Sequence, residues 1–223
     1  MKLSIVIPAY NEEDNIQQAI MDVVFVFPNS EIIVINDCST DNTRRILEAM
    51  KLPQLKVINN FINLGHGASV FAGLKRASGE YILYIDADRQ IELSNLQQLK
   101  DAEAFDIVSG WRIGRHDPLF RKFISFMLKS TNLLRHRMYI KDANCPFKLY
   151  KRSSLLPLLE KLPHTYVVPI ADLEVLARRQ GLTIRTIPTP HKPYDGVRVG
   201  KLMKPTLRTW LFAWDAFKEV VRL

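Results

Sequence analysis

Short runs of apolar residues alternate along this chain with stretches in which apolar positions recur every three or four residues. LSIVI (3–7), EIIVIND (31–37), LKVINN (55–60), YILYIDAD (81–88) and FDIVSG (105–110) read as strands. The stretches 12–26, 41–51, 66–78 and 94–101 read as helices, with Asp41 and Ser94 where N-caps belong. Near-continuous apolar strands separated by helices predict an α/β fold, a mostly parallel sheet covered on both faces. No internal repeat and no low-complexity linker interrupts the pattern, so the chain reads as one domain.

In open sheets of this kind ligands bind beyond the carboxyl ends of the strands. Those ends carry PAYNEE (8–13), NDCSTD (36–41), NNFINLGHG (59–67), DADRQ (86–90) and SGWRIGR (109–115). One such segment is an ordinary turn; all of them on one sheet edge predict a large polar cleft. Asp86 and Asp88, one residue apart where the chain leaves a strand, can both turn toward a hard divalent cation. Mg²⁺ or Mn²⁺ held there bridges phosphate oxygens of a substrate. A lone DxD also arises in loops and helix caps; its place after an apolar strand and downstream of PAYNEE and NDCSTD favours the metal.

Composition narrows the picture further. At 223 residues the chain can bury a substantial core, and its two cysteines, Cys38 and Cys145, are too few for a disulfide framework. The start MKLSIVIPAY lacks a charged region leading into a long apolar stretch, and no run reaches the roughly 18 apolar residues of a membrane span. The expectation is a cytoplasmic chain that meets a bilayer from one side only. The net charge of +8 is uneven: residues 1–110 hold 9 Lys/Arg against 15 Asp/Glu, while residues 111–152 hold 11 against 2. Such a block favours an anionic partner, whether phosphate, nucleic acid or a membrane surface; a solvated charged face is the plainer alternative.

Within that block, Phe120, Phe123, Ile124, Met127, Leu134 and Met138 recur at helical steps among Arg121, Lys122, Lys129, Arg135 and Arg137. This fits a basic amphipathic helix in a membrane interface, or a core helix with snorkelling cations. Residues 207–223 place Leu207, Trp210, Leu211, Trp214, Phe217 and Val221 on one stripe, which fits an interfacial helix or a docking helix. The aromatics of 118–140 follow core spacing and offer no stacking platform, so nucleic acid is disfavoured as a partner. Cys38 has no evident base partner, His116, His136 and His164 show no ligand spacing, and GxGxxG spacing is missing after the first strand. A cysteine mechanism and a dinucleotide oxidoreductase are therefore set aside.

The segments IVIPAYNEEDNI, VINDCSTDNT, NLGHGASVFAGLKRASGEYILYIDAD and DADRQ, in this order, resemble the family 2 glycosyltransferases with the GT-A fold. DAD followed one residue later by Gln, and KDANCPFKLYKRS (141–153), are most similar to the dolichyl- and polyprenyl-phosphate sugar synthases. The resemblance covers about residues 1–201, taken as a GT-A domain, with residues 202–223 as a C-terminal amphipathic helix.

The resemblance implies that Pro8, Ala9, Tyr10 and Glu12, with Asp37, surround the nucleotide base and ribose, Asp37 accepting base N–H groups. It implies that Asp86, Asp88 and Gln90 hold Mg²⁺ or Mn²⁺ and the diphosphate, Asp88 as direct ligand, and that Arg112, Arg121 and Ser125 bind a lipid phosphate. In PHKPYDGVRVGK (190–201) the family's lid arginine falls at Tyr194, so Arg198 and Lys201 would supply that charge. Arg89 stands where the family usually has an apolar residue and would put a cation beside the phosphates. Asp172 is the carboxylate of the lipid-phosphate enzymes, the acidic base of the polysaccharide-forming ones, or a helix cap after Pro169; with no Glu-Asp dipeptide in PIADLEVLARRQG, a dedicated base is disfavoured.

The function implied is metal-dependent, inverting transfer of a sugar from a UDP- or GDP-linked donor to a polyprenyl phosphate. It would occur at the cytoplasmic face of a membrane, with a separate membrane subunit left open as a partner. Two other readings stand beside it: the same donor chemistry on a saccharide hydroxyl with Asp172 as base, and an inactive nucleotide-sugar or anion-binding module.

Overall fold

Runs of Ile, Val and Leu that bury both faces of an extended chain build the centre of the molecule. The computed structural model describes residues 2–91, 93, 103–114, 126, 130, 133, 137–162, 169–192, 214, 215 and 218. In chain order the elements are β1 (Leu3–Ala9), α1 (Ile16–Val26), β2 (Glu31–Asn36), α2 (Thr43–Ala49), β3 (Leu55–Asn59) and α3 (His66–Arg76). There follow β4 (Tyr81–Ile85), β5 (Ile107–Ile113), β6 (Phe147–Lys151), α4 (Arg152–Leu159), α5 (Pro169–Arg179) and β7 (Ile184–Pro190).

The strands form a seven-stranded sheet in the order β3-β2-β1-β4-β6-β5-β7. β1 pairs in parallel with β2 and β4, β2 with β3, and β5 with β7, while β6 runs antiparallel to both β4 and β5. The mostly parallel sheet expected from the apolar runs is therefore correct, with one reversed strand, β6, between β4 and β5. The alternation of strand side chains divides the core in two. Ile5, Ile7, Val34, Leu83 and Phe147 pack under α1 and α2, whereas Val6, Ile33, Ile82 and Tyr150 pack under α3, α4 and α5. Fully burying each such side chain contributes about 1.5–3 kcal/mol.

Gly73 allows α3 to lie close on the sheet: a Cβ there would meet Val6 Cγ1 at 2.3 Å. Three non-glycine residues with positive φ, Asn11 (55°), Cys38 (58°) and Arg89 (58°), follow β1, β2 and β4. Each turns the backbone out of the sheet just past a strand end, the edge where the cleft is expected.

Some local expectations shift. β4 stops at Ile85, α1 begins at Ile16 rather than 12, and α2 begins at Thr43 with Asn42 at its N-cap position. Asp41 is thus not the cap; its carboxylate accepts the N–H groups of Thr43 at 3.0 Å and Glu13 at 3.2 Å. Ser94, with the helix expected over 94–101, and the boundary at 201 lie outside the described residues. Of 118–140, Phe126, Ser130 and Leu133 are helical, with Phe126 and Leu133 exposed, whereas residues 137–140 are not helical, Arg137 having a φ of 53°, so the expected helical stripe does not reach Met138. Trp214, Asp215 and Lys218 are helical as well, with Trp214 exposed. Among the described residues no helix is long and apolar enough to cross a membrane.

Candidate active site

The loops after β1 and β2 are knit together by side chains of their own. Asn11 Oδ1 accepts the Thr40 N–H at 2.7 Å, and Ser39 Oγ accepts that of Asn11 at 2.9 Å. Glu13 Oε2 accepts the Asn42 N–H at 2.9 Å, and Thr43 Oγ1 accepts that of Glu12 at 2.7 Å. These bonds make one rigid wall of PAYNEE and NDCSTD.

Asp37, buried at the end of β2, fastens the third segment to that wall. One oxygen accepts from Asn60 Nδ2 at 2.8 Å and from the Leu64 N–H at 2.9 Å, and the other accepts the Gly65 N–H at 2.8 Å. A carboxylate offers about four lone-pair sites, so one remains for a ligand. Pro8, Ala9, Tyr10 and Asp37 line one pocket of about 220 Å³ together with Asn63, Gly65, His66 and Ser69. Four of the five residues expected around a nucleotide base and ribose thus come together, joined by the first turn of α3, while Glu12 does not line this pocket.

The DADRQ turn is the chemical centre. Asp88 is pushed up to about 7, chiefly by burial and then by the charge of Asp86; the Gln90 N–H lowers it, Glu12 raises it and Arg112 lowers it. Three carboxylates and one guanidinium, from the ends of β1, β4 and β5, therefore share one electrostatic neighbourhood. Repulsion between buried like charges is what a bound cation relieves. Among the described residues no group of three His, Cys, Asp or Glu side chains converges as a metal cage. Two carboxylates with an amide oxygen still suit Mg²⁺ or Mn²⁺, hard cations that take remaining ligands from water and substrate phosphates.

Gln90 belongs to a seam that ties this turn to the end of β7. Its amide donates to the Lys192 carbonyl at 3.3 Å, its own carbonyl accepts the Lys192 N–H at 2.8 Å, and Ile91 bridges His191. Arg89 pairs with α1: its guanidinium lies 2.8 Å from Asp22, beside a hollow of about 240 Å³ that Asp86, Phe25, Ile91 and Lys192 also line.

Arg112 projects from β5 onto Asp142, with Nε 2.8 Å from Oδ2 and Nη2 2.9 Å from Oδ1. This bidentate fork fixes the guanidinium plane. Asp172 is wholly buried in the first turn of α5, at the fourth residue and so not at the cap position. Arg121, Ser125, Arg198 and Lys201 lie outside the described residues.

Sequence reasoning passed over Asp142, Tyr84 and the buried set Lys148, Glu174 and Ser109. A lysine inside the otherwise apolar run FKLY was the signal for the last. Its ammonium is 2.5 Å from both Ser109 Oγ and Glu174 Oε2.

Residues 4–158 match the sequence profile of Glycosyl transferase family 2. A dolichyl-phosphate beta-glucosyltransferase of Trichomonas vaginalis is 28% identical over 219 residues, covering 88% of this chain and 68% of its own length. An undecaprenyl-phosphate 4-deoxy-4-formamido-L-arabinose transferase of Salmonella paratyphi B is 31% identical over 190 residues, covering 80% of this chain and 57% of its own length. The chain thus spans between about half and two thirds of these relatives. Among solved structures, glucosyl-3-phosphoglycerate synthase from Mycobacterium tuberculosis was crystallised with Mn²⁺, UDP-glucose and phosphoglyceric acid. It shares the fold at a TM-score of 0.66 and 18% identity, over 97% of this chain and 80% of that one. The GT-A architecture expected from the sequence is borne out. Because the matched profile runs from β1 through the Asp86–Asp88 turn to α4, well over half of the chain, the protein belongs to Glycosyl transferase family 2.

Proposed function

We propose that the chain transfers a sugar, with inversion, from a nucleoside-diphosphate donor to a polyprenyl phosphate, with Mg²⁺ or Mn²⁺ held by Asp86, Asp88 and Gln90. The observation that carries this reading is the meeting of Asp86, Asp88 and Glu12 with Arg112 at one sheet edge, where burial first and then the Asp86 charge raise Asp88 to about 7. The relatives' names supply the acceptor class, dolichyl phosphate and undecaprenyl phosphate, and the synthase crystallised with Mn²⁺ and UDP-glucose supports a metal and a nucleotide-sugar.

The pocket of Pro8, Ala9, Tyr10 and Asp37 receives the base, and Glu12 lies on the path from base to diphosphate. Asp86, Asp88 and Gln90 would hold a divalent cation, which would supply positive charge against the departing nucleoside diphosphate. Arg112, its plane fixed by Asp142, orients the acceptor phosphate, with Arg121 and Ser125 as further contacts and Arg198 and Lys201 closing over the diphosphate. A phosphate is already ionised near neutral pH, so its attack on the anomeric carbon needs positioning more than a general base. The burial of Asp172 supports that choice over transfer to a saccharide hydroxyl. Membrane contact at the cytoplasmic face, through the basic 118–140 segment and the 202–223 helix, completes the proposal.

The test is turnover of UDP-glucose, UDP-N-acetylglucosamine and GDP-mannose with Mn²⁺, with and without a short polyprenyl phosphate. Lipid-dependent release of nucleoside diphosphate, lost in Asp88→Ala, is the expected outcome. Release with a saccharide acceptor alone, or turnover untouched by Asp88→Ala, would overturn it.

A further inference from the structure

We propose that Tyr84 and His66 are positioning residues that orient Asp86 for the metal and diphosphate, an inference that rests on the function proposed above. Tyr84 is the penultimate residue of β4, 3% exposed, with its ring in the core beneath α3. Its hydroxyl lies 2.7 Å from Asp86 Oδ1 and 3.0 Å from His66 Nε2, while His66 Nε2 itself is 3.6 Å from Asp86 Oδ1. The two rings meet edge to face at 63°.

The direction of this relay follows from the chemistry of its members. An ionised carboxylate only accepts hydrogen bonds, so the Tyr84 O–H donates to Asp86. With its hydrogen committed, the Tyr84 oxygen can only accept from His66, which requires the proton on His66 Nε2. His66 is the first residue of α3, and Gly65 before it is held by Asp37. The relay thus links the base pocket to the DxD turn through side chains of α3, β4 and the segment after β4.

An aspartate carboxylate turns readily about its last torsion. Pinning Oδ1 to Tyr84 leaves Oδ2 as the oxygen that would ligate a cation. The fold does not demand that every buried tyrosine hydroxyl be paired. Tyr150, on the same face of the sheet, has none among the described residues, whereas the Tyr84 hydroxyl is paired with Asp86 and His66. Partners of this kind set the orientation of metal ligands, and losing one typically weakens metal affinity by about 10–100-fold.

The experiment measures Mn²⁺ binding in the presence of UDP, by titration calorimetry or by the Mn²⁺ electron-spin signal, and UDP binding without metal. Wild type is compared with Tyr84→Phe, which keeps the ring, and with His66→Ala and His66→Gln. The expected result is Mn²⁺ affinity about tenfold or more weaker in Tyr84→Phe, at unchanged metal-free UDP affinity and with a cooperative melt. His66→Ala shows a smaller loss, restored in His66→Gln, whose amide N–H reaches the same place. Tyr84→Phe binding Mn²⁺ as tightly as wild type, or losing metal-free UDP binding by the same factor, overturns the relay alone. Wild type binding no Mn²⁺ with UDP or GDP overturns the proposed function and the relay with it.

Discussion

The ammonium of Lys148 lies 2.5 Å from Glu174 Oε2, and the two side chains are 1% and 3% exposed. The pair joins β6 to α5, and Ser109 of β5 bonds both members, at 2.5 Å and 2.9 Å. Glu174 also accepts from Arg178 at 2.9 Å. Burial alone would raise Glu174, yet Lys148, then Arg178 and Ser109, outweigh it and hold the carboxyl below its ordinary value.

Removing one partner strands the other in the core. Lys148→Ala is expected to lose about 3–5 kcal/mol, read as a lower urea midpoint at unchanged slope. The double variant Lys148→Met, Glu174→Leu, which leaves no buried charge, recovers most of that loss. A single variant as stable as wild type would show the pair to be inert.

The acid limb of stability has a named source at the other end of the sheet. Burial opposes ionisation of Glu31, but Lys56, Ser4 and Ser78 bond its carboxylate and bring it from 4.5 down to about 2. Because the folded value lies below the unfolded one, the unfolded chain binds more protons in between. The contribution is complete above pH 4.5 and disappears as pH falls toward 2. The stability difference between wild type and Glu31→Gln, followed by urea unfolding across that window, should shrink steadily toward the acid end.

Asp37→Asn tests the base pocket. Its amide keeps one acceptor oxygen and puts an NH2 in place of the other, so either the Gly65 N–H or the Leu64 and Asn60 donors lose their acceptor, where a carboxylate accepts all three. Leaving a buried group unmatched costs about 1–3 kcal/mol, so UDP binding measured by calorimetry should weaken about tenfold or more. Equal binding would separate Asp37 from nucleotide recognition.

Gly73→Ala tests how closely α3 must approach β1. The added methyl would sit 2.3 Å from Val6 Cγ1, inside van der Waals contact. Overpacking of this kind costs about 1–3 kcal/mol. A drop in melting temperature of several degrees is expected, and an unchanged melt would show that the helix lifts without cost.

Much of the fold could be read locally because apolar runs and helical periods are local signals. β1 to β5 fall within a few residues of the expected runs, and the motifs at their ends meet in one cleft. The misplaced boundaries share a cause: competing hydrogen bonds at the turns. β4 ends at Ile85 because Asp86 turns to Tyr84 and Arg89 adopts a φ of 58° to reach Asp22. Residues before Ile16 form a turn instead of helix, with the Glu12 carbonyl accepting the N–H groups of Asn15 and Ile16.

From its order of residues alone, this chain declares alternating strands and helices, a polar sheet edge, and the family 2 motifs from PAYNEE to DADRQ. It does not declare that β6 enters between β4 and β5 in reverse, that Lys148 finds Glu174 26 positions away, or that His66 reaches Asp86 through Tyr84. Side-chain period tells which face of an element is apolar, whereas strand direction and long-range polar partners emerge only when loops close and buried charges must be matched. The same physics divides the carboxylates: Asp37 becomes a brace for the loop at 60–65, Asp142 clamps Arg112, and Asp88 is buried beside Asp86 and Glu12 with Arg112 as the opposing charge.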